Sequence, residues 1–374
     1  MSGLKLALKI AGYTLSVAAT VALLAVLFCG SGGAHAYTGT EQVNVEMMDR
    51  FDQSLTNQLS DAMEGVLSIE KVYWLSDDDK VAPKPDQDKY GSTTDPSSLG
   101  WLLEDARDIL EGQETTFHTG IRLAPGTQVD YYLDETIFAI TWKQVINGGV
   151  YTISEVKIKH PSQLRRFFSG GEYGSGVLMT TTEMAQAVYA VVASGGDYYA
   201  FRQLGIIVYD GVVQRVNSRY SHTCYVDDNG DMLFSYAGQY PDKRTAQEFV
   251  DANNIRFSLA FGPVLVDEGK YVHTYDYIIG EVLEEYARSA FCQKDKLHYL
   301  LVTLNTEGYN RHVDTLENFG RTVESFGVQK AYTLDGGQTA TIAMNNRLIN
   351  SVVFGSQRNI SDILYFATAL PSGE

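Results

Sequence analysis

Ala331-Tyr332-Thr333-Leu334-Asp335-Gly336-Gly337-Gln338-Thr339-Ala340 is a short apolar run that meets a carboxylate and then a glycine pair. Upstream, Asp314-Thr315-Leu316-Glu317 has the residues of a helix start. Asp314 can cap, Glu317 can reach back, and Leu316, Phe319, Val323 and Phe326 recur at helical spacing. Gly327 ends that helix, and Val328 to Leu334 then reads as a buried strand that delivers Asp335 to its end. A glycine pair after such a strand lets backbone N–H groups approach a ligand without Cβ obstruction. The expectation is an anion cradle beside an acid, with Gln338 and Thr339 as further candidates for substrate binding; a plain turn with Asp335 bonded to its own loop is the bland alternative.

A second unit of the same design lies upstream. Thr181 or Thr182 caps a helix from Glu183 to Tyr189, the apolar run Ala190-Val191-Val192-Ala193 follows, and Ser194-Gly195-Gly196-Asp197-Tyr198-Tyr199 closes it. Two acids thus stand beside two glycine pairs. In order, SGGDYYAFRQLGIIVYDGVVQR from Ser194, FGPVLVDEG from Phe261, LDGGQTATIAMNNRLIN from Leu334 and RNISDILYF from Arg358 resemble the phosphodiester glycosidase family, over roughly Val156 to Phe366.

The resemblance implies a hydrolase that cleaves the glycosidic bond of a sugar-1-phosphodiester, with an N-acetylglucosamine-like sugar. A leaving phosphate is already a weak base, so the work lies in holding the anion, stabilising the oxocarbenium-like centre and delivering water or a carboxylate to the anomeric carbon. Asp335 and Asp197 are the candidate catalytic acids. Arg288, in a segment similar to the family's Arg-Thr-Ala-Ile-Gly, is the first candidate for the phosphate, followed by Arg202 and Arg358, because a guanidinium offers two parallel donors. Gly195, Gly196, Gly336 and Gly337 are expected to add backbone N–H groups, and Gln338 and Thr339 side-chain contacts. Bland readings stand beside these: Arg358 pairs with Asp362 on the surface, and Arg202 is a solvated strand residue. Two departures matter, since Gly195 stands where the family commonly has asparagine and Cys292 where it has glycine. A non-catalytic surface module that binds phosphorylated glycans, and a phosphodiesterase that breaks P–O, are the competing readings.

At the start of the chain, Lys5 and Lys9 precede an uncharged, mostly apolar run from Ile10 to Cys29, long enough to cross a hydrocarbon core. Retained, it makes a single-pass membrane protein with its catalytic part outside the cell; cleaved near Ala36, after Ala34-His35-Ala36, it makes a secreted one. The net charge of −17 and a pI near 4.8 disfavour nucleic acid as a partner. Of three cysteines, Cys224 and Cys292 leave a single bridge open, and no cysteine or histidine spacing calls for zinc or haem, so neither metal nor cofactor is expected.

Three regions follow: 1–36 as anchor or signal, 37–150 as a helical and linker region leading into a hairpin, and 151–374 as the glycosidase domain. Val43 to Leu67 reads as an amphipathic helix, 77–98 as a polar loop, and a further helix runs from Ser98 to Glu111. Phe138 to Ile158 reads as a hairpin about Asn147-Gly148-Gly149, Leu204 to Val216 as another about Asp210-Gly211, and Asp227-Asp228-Asn229-Gly230-Asp231 as a hairpin turn rather than a calcium loop. Short strands, several helices and no regular βα alternation give an α+β fold: a central mixed β-sheet with flanking helices, preceded by a transmembrane helix.

Overall fold

The computed structural model describes residues 117–122, 128–133, 136–277 and 281–369. The apolar segment Ile10 to Cys29, the helices expected over 43–67 and 98–111 and the loop 77–98 lie outside the described residues. Among the described residues no helix is long and apolar enough to cross a membrane.

The chain begins with four strands, β1 (Phe117–Arg122), β2 (Gln128–Leu133), β3 (Ile137–Ile146) and β4 (Gly149–Ile158), then β5 (Leu164–Phe168), α1 (Thr181–Ala187) and β6 (Val192–Gly195). Next come β7 (Gly205–Tyr209), β8 (Val212–Asn217), β9 (Thr223–Asp227), β10 (Met232–Ser235), α2 (Lys243–Ala252), β11 (Ile255–Leu259), β12 (Val264–Asp267) and β13 (Lys270–Tyr271). The last part holds β14 (Arg288–Asp295), β15 (His298–Asn305), α3 (Leu316–Glu324), β16 (Lys330–Leu334), β17 (Ile342–Met344), β18 (Arg347–Leu348) and β19 (Asp362–Phe366). They form a nine-stranded sheet in the order β1-β2-β3-β4-β15-β14-β16-β12-β13 and two five-stranded sheets, β10-β9-β11-β7-β8 and β18-β17-β6-β19-β5.

The expected mixed sheet gives way to antiparallel ones, since every strand pairing among the described residues is antiparallel. The reason is in the turns. Asn147 and Gly148, and Asp210 and Gly211, take the paired positive φ that two-residue hairpins require, and such hairpins make only antiparallel neighbours. Asp227 to Asp231 also proves a hairpin turn, with the Asp227 carboxylate accepting from the amides of Asn229 and Asp231 at 2.8 Å each.

The large sheet is covered on both faces. On one, Leu316, Phe319 and Val323 of α3 pack with Phe326 against Tyr151, Leu265, Val302 and Leu304, fulfilling the helical spacing read from the sequence. On the other, Phe291, Leu301, Tyr332 and Leu334 pack against Val192, Ile342 and Leu364 of one small sheet and Cys224, Phe257 and Leu259 of the other. The helix starts sit close to their expected places with different caps. Thr180, not Thr181 or Thr182, caps α1 in a reciprocal box with Glu183. Thr315, not Asp314, caps α3, because the Asp314 carbonyl is taken by the Tyr286 amide and Arg288 Nε, and Glu317 pairs forward with Arg321. Cys224 and Cys292 are both buried as free thiols, so the single bridge left open does not form.

Candidate active site

The two acid-and-glycine turns meet. The Asp335 amide donates to the Gly196 carbonyl at 3.1 Å, so the end of β16 lies directly on the end of β6. Close backbone packing is what the glycines serve here: a Cβ on Gly195 would run into the Thr339 carbonyl, and one on Gly196 into the Asp362 carboxylate. Their amides are used inside the protein as well. Gly195 N–H donates to Thr341, Gly196 N–H to Asp362 and Gly337 N–H to Ala287, while the Gly336 amide serves Asp335 itself. The expected cradle of free amides is therefore a knot of backbone contacts that fixes where Asp335 sits.

Asp335 is half-buried. Burial, the largest influence on it, pushes its carboxyl up to about 6 against the pull of the Thr339 hydroxyl, Arg358, Arg202 and the Gly336 amide. Arg202 and Arg358 thus converge on it electrostatically. Arg202 is half-buried, lies 4.3 Å from the Phe261 ring centroid and donates to the Phe261 carbonyl at 2.8 Å. Arg358 is exposed, bonds the Tyr198 hydroxyl at 3.2 Å, and stands 5.2 Å from the centroids of both Tyr198 and Phe201, whose rings stack at 4.8 Å. It makes no pair with Asp362. Gln338 reaches the Ser356 carbonyl at 2.7 Å and ties the turn after Asp335 to the loop before Arg358.

Asp197 has a different setting. It is buried, one oxygen accepts from Tyr199 N–H at 2.7 Å, and the other accepts from Ala260 N–H at 2.8 Å and pairs with Arg166 at 2.9 Å. Arg166 also pairs with Asp362 at 2.9 Å. One guanidinium between two buried carboxylates leaves a negative charge over, and burial pushes the Asp362 carboxyl up accordingly. Arg166 and Asp362 escaped the sequence reading as site residues: they stand 196 positions apart and meet only because β5 pairs with β19. The signal present was Asp362 within RNISDILYF, a buried carboxylate that requires a cation.

Arg288 begins β14, next to the Asp335 turn, but its guanidinium is directed to carbonyls: Asp314 at 3.2 Å, Glu281 at 2.7 Å and Glu284 at 2.5 Å. Burial brings its pKa down to about 10. Its contacts pin the segment around 281–284 beside the Asp335 turn. No cluster of metal-ligating side chains occurs among the described residues.

The model of the phosphodiester glycosidase family matches residues 185–367, which hold Asp197, Arg288, Asp335 and Asp362. That part of the chain belongs to the phosphodiester glycosidase family, a group of glycosidase-type hydrolases. Among solved structures, the chain is similar to the zebrafish N-acetylglucosamine-1-phosphodiester alpha-N-acetylglucosaminidase catalytic domain auto-inhibited by pro-peptide, at 16% identity over 70% of this chain and 90% of that one, with a TM-score of 0.49. It is also similar to a hypothetical protein from Synechocystis, at 15% identity over 65% of this chain, with a TM-score of 0.45; the chain spans 64% of that protein's length. No curated protein matches it in sequence.

Proposed function

We propose that this chain is an exported hydrolase that breaks the C–O bond between a sugar's anomeric carbon and a phosphodiester, with Asp335 as the base. One observation carries the reading: Asp335 is the only one of the two candidate acids whose carboxylate is not consumed by an ion pair, and two arginines flank it. Ionised above about pH 6, it takes a proton from water as the water oxygen bonds to the anomeric carbon, and the C1–O bonding pair leaves with the phosphate. Arg358 and Arg202 hold that phosphate, and the Tyr198–Phe201 stack offers a flat apolar face to the substrate. Asp197 acts as a positioning residue through Gly196, and Arg288 as one through the segment 281–284. An N-acetylglucosamine-like sugar on a cell-surface glycopolymer is the substrate class favoured by the sequence motifs, and Ile10 to Cys29 serves as the membrane anchor.

The reading is tested by incubating purified protein with a synthetic N-acetylglucosamine 1-phosphodiester and following free reducing sugar by chromatography. Release by the wild type and none by Asp335→Asn is the expected pair. Tight binding without release would make the chain a glycan-binding module instead.

A further inference from the structure

In the large sheet β16 runs between β14 and β12, and both neighbours begin at the end where β16 delivers Asp335. The residues that lead into them therefore flank the acid. On the β12 side, Thr333 N–H donates to the Pro263 carbonyl at 3.1 Å, and Asp335 N–H, two residues on, donates to the Gly196 carbonyl at 3.1 Å. Phe261, which carries Arg202, and Tyr198, which bonds Arg358, belong to these same two segments. Both arginines thus lie on the β12 side. On the β14 side, Gly337 N–H donates to the Ala287 carbonyl at 2.8 Å, and the residue before Ala287 is Tyr286.

Tyr286 is 47% exposed, yet its place is fixed. Its N–H donates to the Asp314 carbonyl at 3.0 Å, and Arg288, bonded to the same carbonyl, stands 5.9 Å from its ring centroid. The ring lies on Gly337, where a Cβ would come within 2.8 Å of it. A single exposed aromatic signifies little. This one is seated on the turn that carries Asp335, across the strand from the two arginines. β12 and β14 stand two strand spacings apart, about 10 Å, which leaves room for a pyranose and the phosphate joined to it. A pyranose has a face of C–H groups that lies flat on an aromatic ring, whereas a phosphate calls for guanidinium. Charge and shape then set one direction across the site. We propose, on the reading that this site hydrolyses a sugar phosphodiester, that Tyr286 is its sugar platform: the pyranose lies on the Tyr286 ring, the phosphate points to Arg202 and Arg358, and the anomeric carbon sits over Asp335.

The probes are N-acetylglucosamine 1-phosphate and inorganic phosphate, titrated calorimetrically into the full chain, so that no turnover is needed. The wild type is expected to hold the sugar phosphate more tightly than phosphate. Tyr286→Ala should weaken the sugar phosphate about fivefold to tenfold and leave phosphate unchanged, while Tyr286→Phe, which keeps the ring, stays within twofold of wild type for both. Tyr286→Leu keeps Gly337 covered without a flat ring; it should behave as the alanine variant does and serves if that one fails to fold. Arg358→Met should weaken both ligands. The proposal is overturned if the wild type does not prefer the sugar phosphate, if its affinity survives both Tyr286→Ala and Tyr286→Leu, or if these variants weaken phosphate equally. The expected pattern without sugar release from a phosphodiester would sink the hydrolytic reading and leave the sugar platform standing; release that is indifferent to Tyr286→Ala in KM would do the reverse.

Discussion

Replacing Asp335 by asparagine should make the protein more stable at alkaline pH as it silences it. Burial raises this carboxyl from the ordinary value of 3.8 to about 6. A group whose pKa is raised by folding stabilises the protein relatively below its unfolded value and loses that contribution as pH climbs through the folded one. At about 1.4 kcal/mol for each tenfold change in ionisation, holding Asp335 charged at pH 8 costs the native state about 3 kcal/mol, and at pH 4 under about 1 kcal/mol. Asparagine never bears the charge and still accepts from Gly336 N–H and the Thr339 hydroxyl. Asp335→Asn should therefore raise the melting temperature at pH 8 by about 5–10 °C, with little change at pH 4. Sugar release should fall about a hundredfold to ten-thousandfold. The wild-type rate should rise with pH through a midpoint near 6. Unfolding curves at the two pH values and a pH–rate profile check this; equal stability of variant and wild type at pH 8 would refute the desolvated carboxylate, and a rate that falls through pH 6 would refute its role as base.

Arg166→Met should destabilise the fold by about 3–5 kcal/mol in denaturant unfolding, since it leaves Asp197 and Asp362 facing each other in the interior without a cation. Gly195→Ala should cost about 1–3 kcal/mol by the same assay and reduce turnover, because its Cβ displaces the Thr339 carbonyl and with it the Asp335 turn. Arg288→Lys should lower the melting temperature along with activity, a lysine being unable to serve the carbonyls of residues 281, 284 and 314 together; a raised KM with an unchanged melt would mean it binds phosphate instead. Arg358→Met, on the surface, should change stability by no more than about 0.5 kcal/mol while raising KM in steady-state kinetics.

Local patterns in the sequence carried further than long-range ones. Asn147-Gly148 and Asp210-Gly211 announced their hairpins because few other residues accept the positive φ those turns impose. The spacing of Leu316, Phe319, Val323 and Phe326 identified the face of α3 that meets the sheet, since periodicity and burial have the same cause. The end of β16 also put Asp335 where it was expected, at the tip of a buried strand.

What required the folded chain was every partnership made across the sheets. The arginine that holds Asp197 is not the one nearest in sequence, Arg202, but Arg166, brought in by the pairing of β5 with β19. Arg288 carried a motif, yet a motif does not tell which way a guanidinium turns, and here it turns to backbone carbonyls. The glycine pairs promise room for a ligand, but the space is taken by the protein itself: Thr339 and Asp362 beside the first pair, Ala287 and Tyr286 beside the second. The caps of α1 and α3 each lie one residue from an expected position because the competing Ser/Thr/Asp neighbours are chemically alike, and the choice falls to whichever backbone group is already engaged.

The central claim is that water, activated at Asp335, attacks carbon rather than phosphorus. Hydrolysis of an N-acetylglucosamine 1-phosphodiester in isotopically labelled water, with both products weighed by mass spectrometry, tests it directly. Attack on carbon puts the heavy oxygen at C1 of the released sugar and none on the phosphate monoester; heavy oxygen on phosphorus would contradict it.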